Sequence, residues 1–189
     1  AALKAAKKCG PLFKKHFGNA GKPKMKNHDP RNLVNKIDLA IETEIRKIIL
    51  NTFKDAKIIG EEFGRANEGS DYQWILDPID GTSSFIIGRP TFGTLIALAY
   101  KGIVQIGIVN QPISNERWLG VENEGSWLNG KQIKSRNCGG LKHAVISTTS
   151  QFFFEENDSD FEKWTFLKCP FLIFSNKSLK KMTKKHLLP

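Results

Sequence analysis

Apolar residues recur at steps of three and four along one stretch of the chain: Val34, Ile37, Ile41, Ile45, Ile48 and Ile49. That spacing predicts a helix with one buried stripe, ending near Asn51 or Thr52. Asn32 is its expected cap. Glu42 and Arg46, four residues apart, are expected to pair on its exposed face. Upstream, Ala1 to Phe17 predicts a first helix with Leu3, Ala6, Leu12 and Phe13 as its apolar points. Between the two, Gly18 to Pro30 mixes Gly and Pro breakers with several lysines and reads as a loop.

After Thr52 the period changes. Lys57 to Gly60 predicts a short strand running into Glu61-Glu62. Arg65 to Asp71 is polar and expected to be mobile. Trp74 to Leu76 predicts another strand, stopping at Asp77-Pro78. Then Thr94–Tyr100, Ile103–Val109, Glu116–Val121 and Ser126–Leu128 alternate with Gly-containing turns, the pattern of an antiparallel meander. Two helices covering such a sheet make an α+β layer fold. Residues 1–136 form this first unit. Residues 137–189 open a second one, with a strand expected at His143 to Thr149 and a basic tail after Phe166 expected to be disordered.

Composition narrows the class. With 40% hydrophobic and 25% charged residues, the 189-residue chain reads as a soluble globular protein. Its longest uncharged apolar stretch, around Phe92 to Tyr100, is far too short to span a bilayer. The start lacks the apolar core of a secretory signal. It also lacks an initiator Met, so the natural start is expected upstream. Cys9, Cys138 and Cys169 are odd in number and widely spaced, which argues against a disulfide framework or zinc knuckle and points to a reducing cytoplasm. The net charge of +10 is uneven: residues 1–60 carry 14 Lys and Arg against 5 Asp and Glu, whereas residues 61–136 carry 7 against 9. No nucleic-acid module interleaves the basic residues with aromatics, so they read as a solvated face whose field would draw an anionic substrate.

The acids of the middle segment carry the candidate chemistry. Glu61 ends one strand; Asp77 ends another, and Asp80 follows it in Asp77-Pro78-Ile79-Asp80-Gly81-Thr82. Side by side, two such strand ends bring the three carboxylates together. Pro78 makes the turn rigid, and the Ile79 carbonyl faces the same point. The plain alternative is that these acids cap turns and face water. Against it, the single base between Glu61 and Gly88 is Arg65. Two carboxylates ~4 Å apart repel by ~4 kcal/mol at an effective dielectric of about 20. Either a cation sits among them or they do not converge. All-oxygen ligation suits Mg²⁺, whereas zinc would want Cys or His, and His16, His28 and His143 are poorly placed. Gly81-Thr82-Ser83-Ser84 follows directly. A helix starting there offers free N–H groups and its positive dipole end to a phosphate beside the metal.

Ile59-Gly60-Glu61-Glu62 followed by Trp74-Ile75-Leu76-Asp77-Pro78-Ile79-Asp80-Gly81-Thr82-Ser83-Ser84-Phe85 resembles the inositol monophosphatase superfamily, over roughly Ala1 to Phe166. Glu62-Phe63-Gly64, the run from Phe85 to Ile96, and Gln111-Pro112 with Glu116-Arg117-Trp118 are most similar to its histidinol-phosphatase branch. The resemblance implies a layered α/β sandwich and a Mg²⁺-dependent phosphomonoesterase acting on histidinol phosphate or inositol monophosphate. It implies Glu61, Asp77, the Ile79 carbonyl and Asp80 as metal ligands. Glu61 and Thr82 would orient the attacking water, with Asp38 acting through Thr82. Asp80, Gly81, Thr82 and Ser83 would hold the substrate and its phosphate. For Asp38 the competing reading is an exposed helical acid.

The family's second half carries a Trp-Asp motif. Here Trp74, Trp118, Trp127 and Trp164 are none of them followed by Asp. The second α/β half is therefore expected to be largely missing. That leaves a truncated, catalytically impaired member, holding only metal and anion, as the alternative. An uncovered apolar face would invite self-association into a homodimer.

Overall fold

A computed structural model describes residues 1–19, 21, 24–26, 29–34 and 36–134. The expected second unit beyond residue 136, its strand and the basic tail lie outside the described residues.

Helix α1 spans Ala2–His16 and helix α2 spans Lys36–Thr52. They pack on each other and on one face of an eight-stranded sheet. Its strands are β3 (Lys57–Gly60), β4 (Gly64–Ala66), β5 (Tyr72–Asp80), β6 (Gly93–Tyr100), β7 (Ile103–Gln111), β8 (Glu116–Val121), β9 (Gly125–Leu128) and β10 (Lys131–Ile133). The spatial order is β10-β9-β8-β7-β6-β5-β3-β4. From β5 to β10 each strand pairs antiparallel with the next, the expected meander. β3 and β5 run parallel, so the sheet is mixed. That one pair puts the C-terminal end of β3 beside Leu76, one residue before Asp77.

Register explains the core. Gly60, Leu76, Ile96, Ile108 and Leu119 stand opposite one another across five strands, as do Ile58, Trp74, Leu98, Ile106 and Val121. Residues directly opposed in a sheet share a face. Against these rows lie Ile41, Ile45 and Ile49 of α2, each with no exposed surface. Burying each contributes up to about 1.5–3 kcal/mol. From α1, Ala5, Ala6, Cys9 and Phe13 complete the layer. Burial, with the charge of Glu44 adding to it, pushes the Cys9 thiol up to about 12, so it is an inert packing residue.

Several local expectations change. The segment read as a loop from Gly18 to Pro30 holds a hairpin, β1 (Lys24–Lys26) with β2 (Asp29–Val34). Asn32 and Val34 lie in β2, and α2 begins at Lys36, so Asn32 does not cap it. Arg65 and Ala66, expected in a mobile stretch, form β4 on the free edge of β3. β5 does not stop at Asp77: it continues to Asp80 through a register shift against β6. Among the described residues, no helix is long and apolar enough to cross a membrane.

Candidate metal and phosphate site

The end of β3 and the last residues of β5 build the site. Glu61 follows β3, and its backbone N–H donates to the Leu76 carbonyl at 3.1 Å, tying it to β5. One residue further along β5 stands Asp77. Beyond it Pro78 and Ile79 bulge out of register, and pairing resumes with Asp80 opposite Gly93. The bulge is held from β6: the buried Thr94 hydroxyl donates to the Pro78 carbonyl at 3.0 Å.

Asp77 is 4% exposed, and neither of its carboxylate oxygens meets a hydrogen-bond donor. Burial pushes its carboxyl group well above the ordinary 3.8. The negative charge of Glu61 adds to the shift, then that of Asp80, the close approach of the Glu61 carboxyl, and the charge of Asp38. Glu61, Asp80 and Asp38 therefore all lie close enough to act on Asp77. Among the described residues, no three His, Cys, Asp or Glu side chains already stand in an arrangement that holds a metal ion. Repulsion opposes such closure until a cation neutralises it. An orphaned, buried carboxylate beside two others is a hard, anionic, all-oxygen donor set, which fits Mg²⁺ and not zinc.

Asp38 is 1% exposed, which removes the exposed-acid reading. It sits on the buried face of α2. The Thr82 hydroxyl lies 3.4 Å from Asp38 Oδ1 and 3.0 Å from the Ile79 carbonyl oxygen. A hydroxyl has one proton, so Thr82 donates to one of these at a time.

The turn after Asp80 rests on Gly81, at φ 87° and ψ 41°. A side chain there would be strained, and a Cβ would lie 2.9 Å from the Thr91 carbonyl oxygen. Helix α3 (Thr82–Ile86) follows, with no side chain capping its start. At five residues it is short, so its dipole is small. What it offers an anion is the N–H groups of its first turn, at Thr82 and Ser83. Behind it, Phe85 is fully buried among Phe13, Phe17 and Phe92, with ring centroids 5.1–6.2 Å away. Gln111 braces the next loop, donating from Nε2 to the Pro90 carbonyl at 2.7 Å.

Sequence reasoning missed Glu42 and Thr94 and misplaced the Glu42–Arg46 pair. Far from lying on an exposed face, Glu42 has no exposed surface and the Arg46 side chain is 12% exposed. The signal was present: Glu42 falls four residues after Asp38 and three before Ile45, inside the buried stripe.

Residues 1–175 match the Inositol monophosphatase family. The chain is 42% identical over 149 residues to "Bifunctional phosphatase IMPL2, chloroplastic" of Arabidopsis thaliana, covering 78% of this chain and 42% of that protein. It is 36% identical over 133 residues to "Histidinol-phosphatase" of Chlorobaculum parvum, covering 70% and 51%. An inositol monophosphatase structure from Zymomonas mobilis superposes with a TM-score of 0.67 at 36% identity, covering 82% of this chain and 58% of that one. The chain thus spans about half the length of these relatives. Motif, sheet topology and match agree: the chain belongs to the inositol monophosphatase family.

Proposed function

We propose that this chain contributes the metal and phosphate half of a Mg²⁺-dependent phosphomonoesterase acting on a small phosphorylated alcohol. The observation that carries this reading is Asp77: a carboxylate buried without a donor, flanked by Glu61 and Asp80. Burial without a donor disfavours the charged form of Asp77, and a divalent cation beside it would reverse that penalty. In this reading Glu61, Asp77, the Ile79 carbonyl and Asp80 hold Mg²⁺. When bound, the ion would lower the pKa of a water and neutralise phosphoryl charge. Thr82, set between Asp38 and the Ile79 carbonyl, orients the water. The N–H groups of Gly81, Thr82 and Ser83 hold the phosphate oxygens, and Gly81 lets the backbone approach them. No covalent enzyme intermediate is required, because positioning and charge neutralisation supply most of the catalysis.

Histidinol phosphate and inositol monophosphate are the proposed substrates. The names of the Arabidopsis and Chlorobaculum relatives favour a phosphatase, the latter one acting on histidinol phosphate. The decisive assay is phosphate release from a panel containing both esters, with and without Mg²⁺. Release that requires Mg²⁺ and falls at least about a hundredfold in Asp80→Asn supports the proposal. No release from any ester, with Mg²⁺ bound, supports the alternative of a family member that binds metal and anion without turnover.

A further inference from the structure

Glu42 makes contacts that neither the motif nor the proposed chemistry uses. Its Oε2 accepts from the backbone N–H of Glu62 at 2.8 Å, and its Oε1 accepts from that of Phe63 at 3.3 Å. Arg46 Nε donates to Oε1 at 2.8 Å, and Arg46 Nη2 donates to the Gly64 carbonyl at 2.5 Å. With the Glu61 N–H bound to β5, the turn from Glu61 to Gly64 is fixed at four successive residues. Gly60 leaves the space for this. A Cβ there would fall 1.8 Å from Glu42 Oε1 and 2.7 Å from Arg46 Nη2. Asp38 lies one helical turn away on the same buried face and meets Thr82. Helix α2 thus grips the Glu61 turn with one acid and the Thr82 turn with the other, a spacing set by the 5.4 Å pitch.

We propose that Glu42, locked by Arg46, is a positioning residue. Through the backbone of the 61–64 turn it fixes the main chain from which the Glu61 carboxylate would close, with Asp77 and Asp80, on a divalent cation. The inference rests on the metal reading above and deepens it. Outer partners that orient ligands typically govern metal affinity by 10–100-fold.

The test is Mn²⁺ binding to the 189-residue chain, followed by the electron paramagnetic resonance signal of free Mn²⁺. Glu42→Gln keeps the shape but turns an amide N–H₂ toward at least one of the three donors. Its affinity is expected to fall about tenfold. Gly60→Ala displaces the Glu42 carboxylate from the other side and is expected to weaken binding in the same direction. It decides the matter if Glu42→Gln fails to fold. Ile45→Val, on the same buried stripe, is the control: it lowers the melting temperature and leaves affinity unchanged. Wild-type affinity in both Glu42→Gln and Gly60→Ala, or an equal loss in Ile45→Val, overturns the positioning role while the metal reading stands. No Mn²⁺ binding by the wild type, or binding untouched by Asp77→Asn, removes the metal reading itself and this inference with it.

Discussion

The inner face of α2 and the end of β5 each bury a carboxylate, and the two are treated in opposite ways. Glu42 on α2 has no exposed surface and accepts from two backbone N–H groups and a guanidinium. Asp77 on β5 is almost as buried and accepts from none. A native chain satisfies nearly all its buried polar atoms. A fully bonded acid therefore describes how the fold is held, and an orphaned one marks where the fold expects something to bind. The same side-chain chemistry serves structure at one position and function at another, and the donor inventory tells them apart.

Removing the bonded acid should have the largest effect. Glu42→Ala strands the Arg46 guanidinium and two N–H groups, and urea unfolding should show a loss of about 3–5 kcal/mol. Removing the orphan should do the reverse to stability and far more to chemistry. Asp77→Asn should lower Mg²⁺-dependent phosphate release at least about a hundredfold, ~2.7 kcal/mol. The metal-free protein should gain about 1 kcal/mol at neutral pH. A loss of stability in metal-free Asp77→Asn would erase the contrast.

The pH dependence sharpens the comparison further. The folded protein raises the Asp77 carboxyl well above 3.8, so it retains a proton that the unfolded chain has released. Its contribution is complete below about pH 4 and fades as pH climbs through the folded value. Metal-free stability should therefore fall with rising pH, by at most about 1.4 kcal/mol per unit from this group. Asp77→Asn should flatten that slope, and Mg²⁺ should offset it at pH 8. Both are read from unfolding curves between pH 4.5 and 8. The smallest expected effect belongs to the brace on the bulge: Thr94→Val leaves the Pro78 carbonyl unmet, costing about 1 kcal/mol with a few-fold drop in rate.

Much of this was legible in the chain. The isoleucine stripe fixed α2 to within a residue at its C-terminal end, and Gly-punctuated β-branched runs gave β6 to β9. Acids at two strand ends with one nearby base pointed to the site before any pairing was known. Long-range pairing hid the rest. β4 is polar and becomes a strand because β3 offers it an open edge. β1 holds two lysines, β2 holds a proline, and Gly and Pro breakers surround them, so their local signal is that of a loop. Glu42 and Arg46 carry the signature of a surface ion pair. The 61–64 turn arrives over that face and buries them; Glu42's place in the stripe hints at the burial, but nothing local names the turn as its cover. Thr94 looked like an ordinary β-branched strand residue until the bulge opposite it was placed.

The phenylalanine quartet has a practical consequence. Phe13 of α1 and Phe17 just after it pack on Phe85 and Phe92, which follow the turn proposed to grip phosphate. The Gly18 N–H also donates to the Phe85 carbonyl at 3.2 Å. Anyone trimming the first eighteen residues to improve expression, or fusing a bulky tag that pries α1 loose, would be loosening the floor beneath α3 from more than sixty positions away.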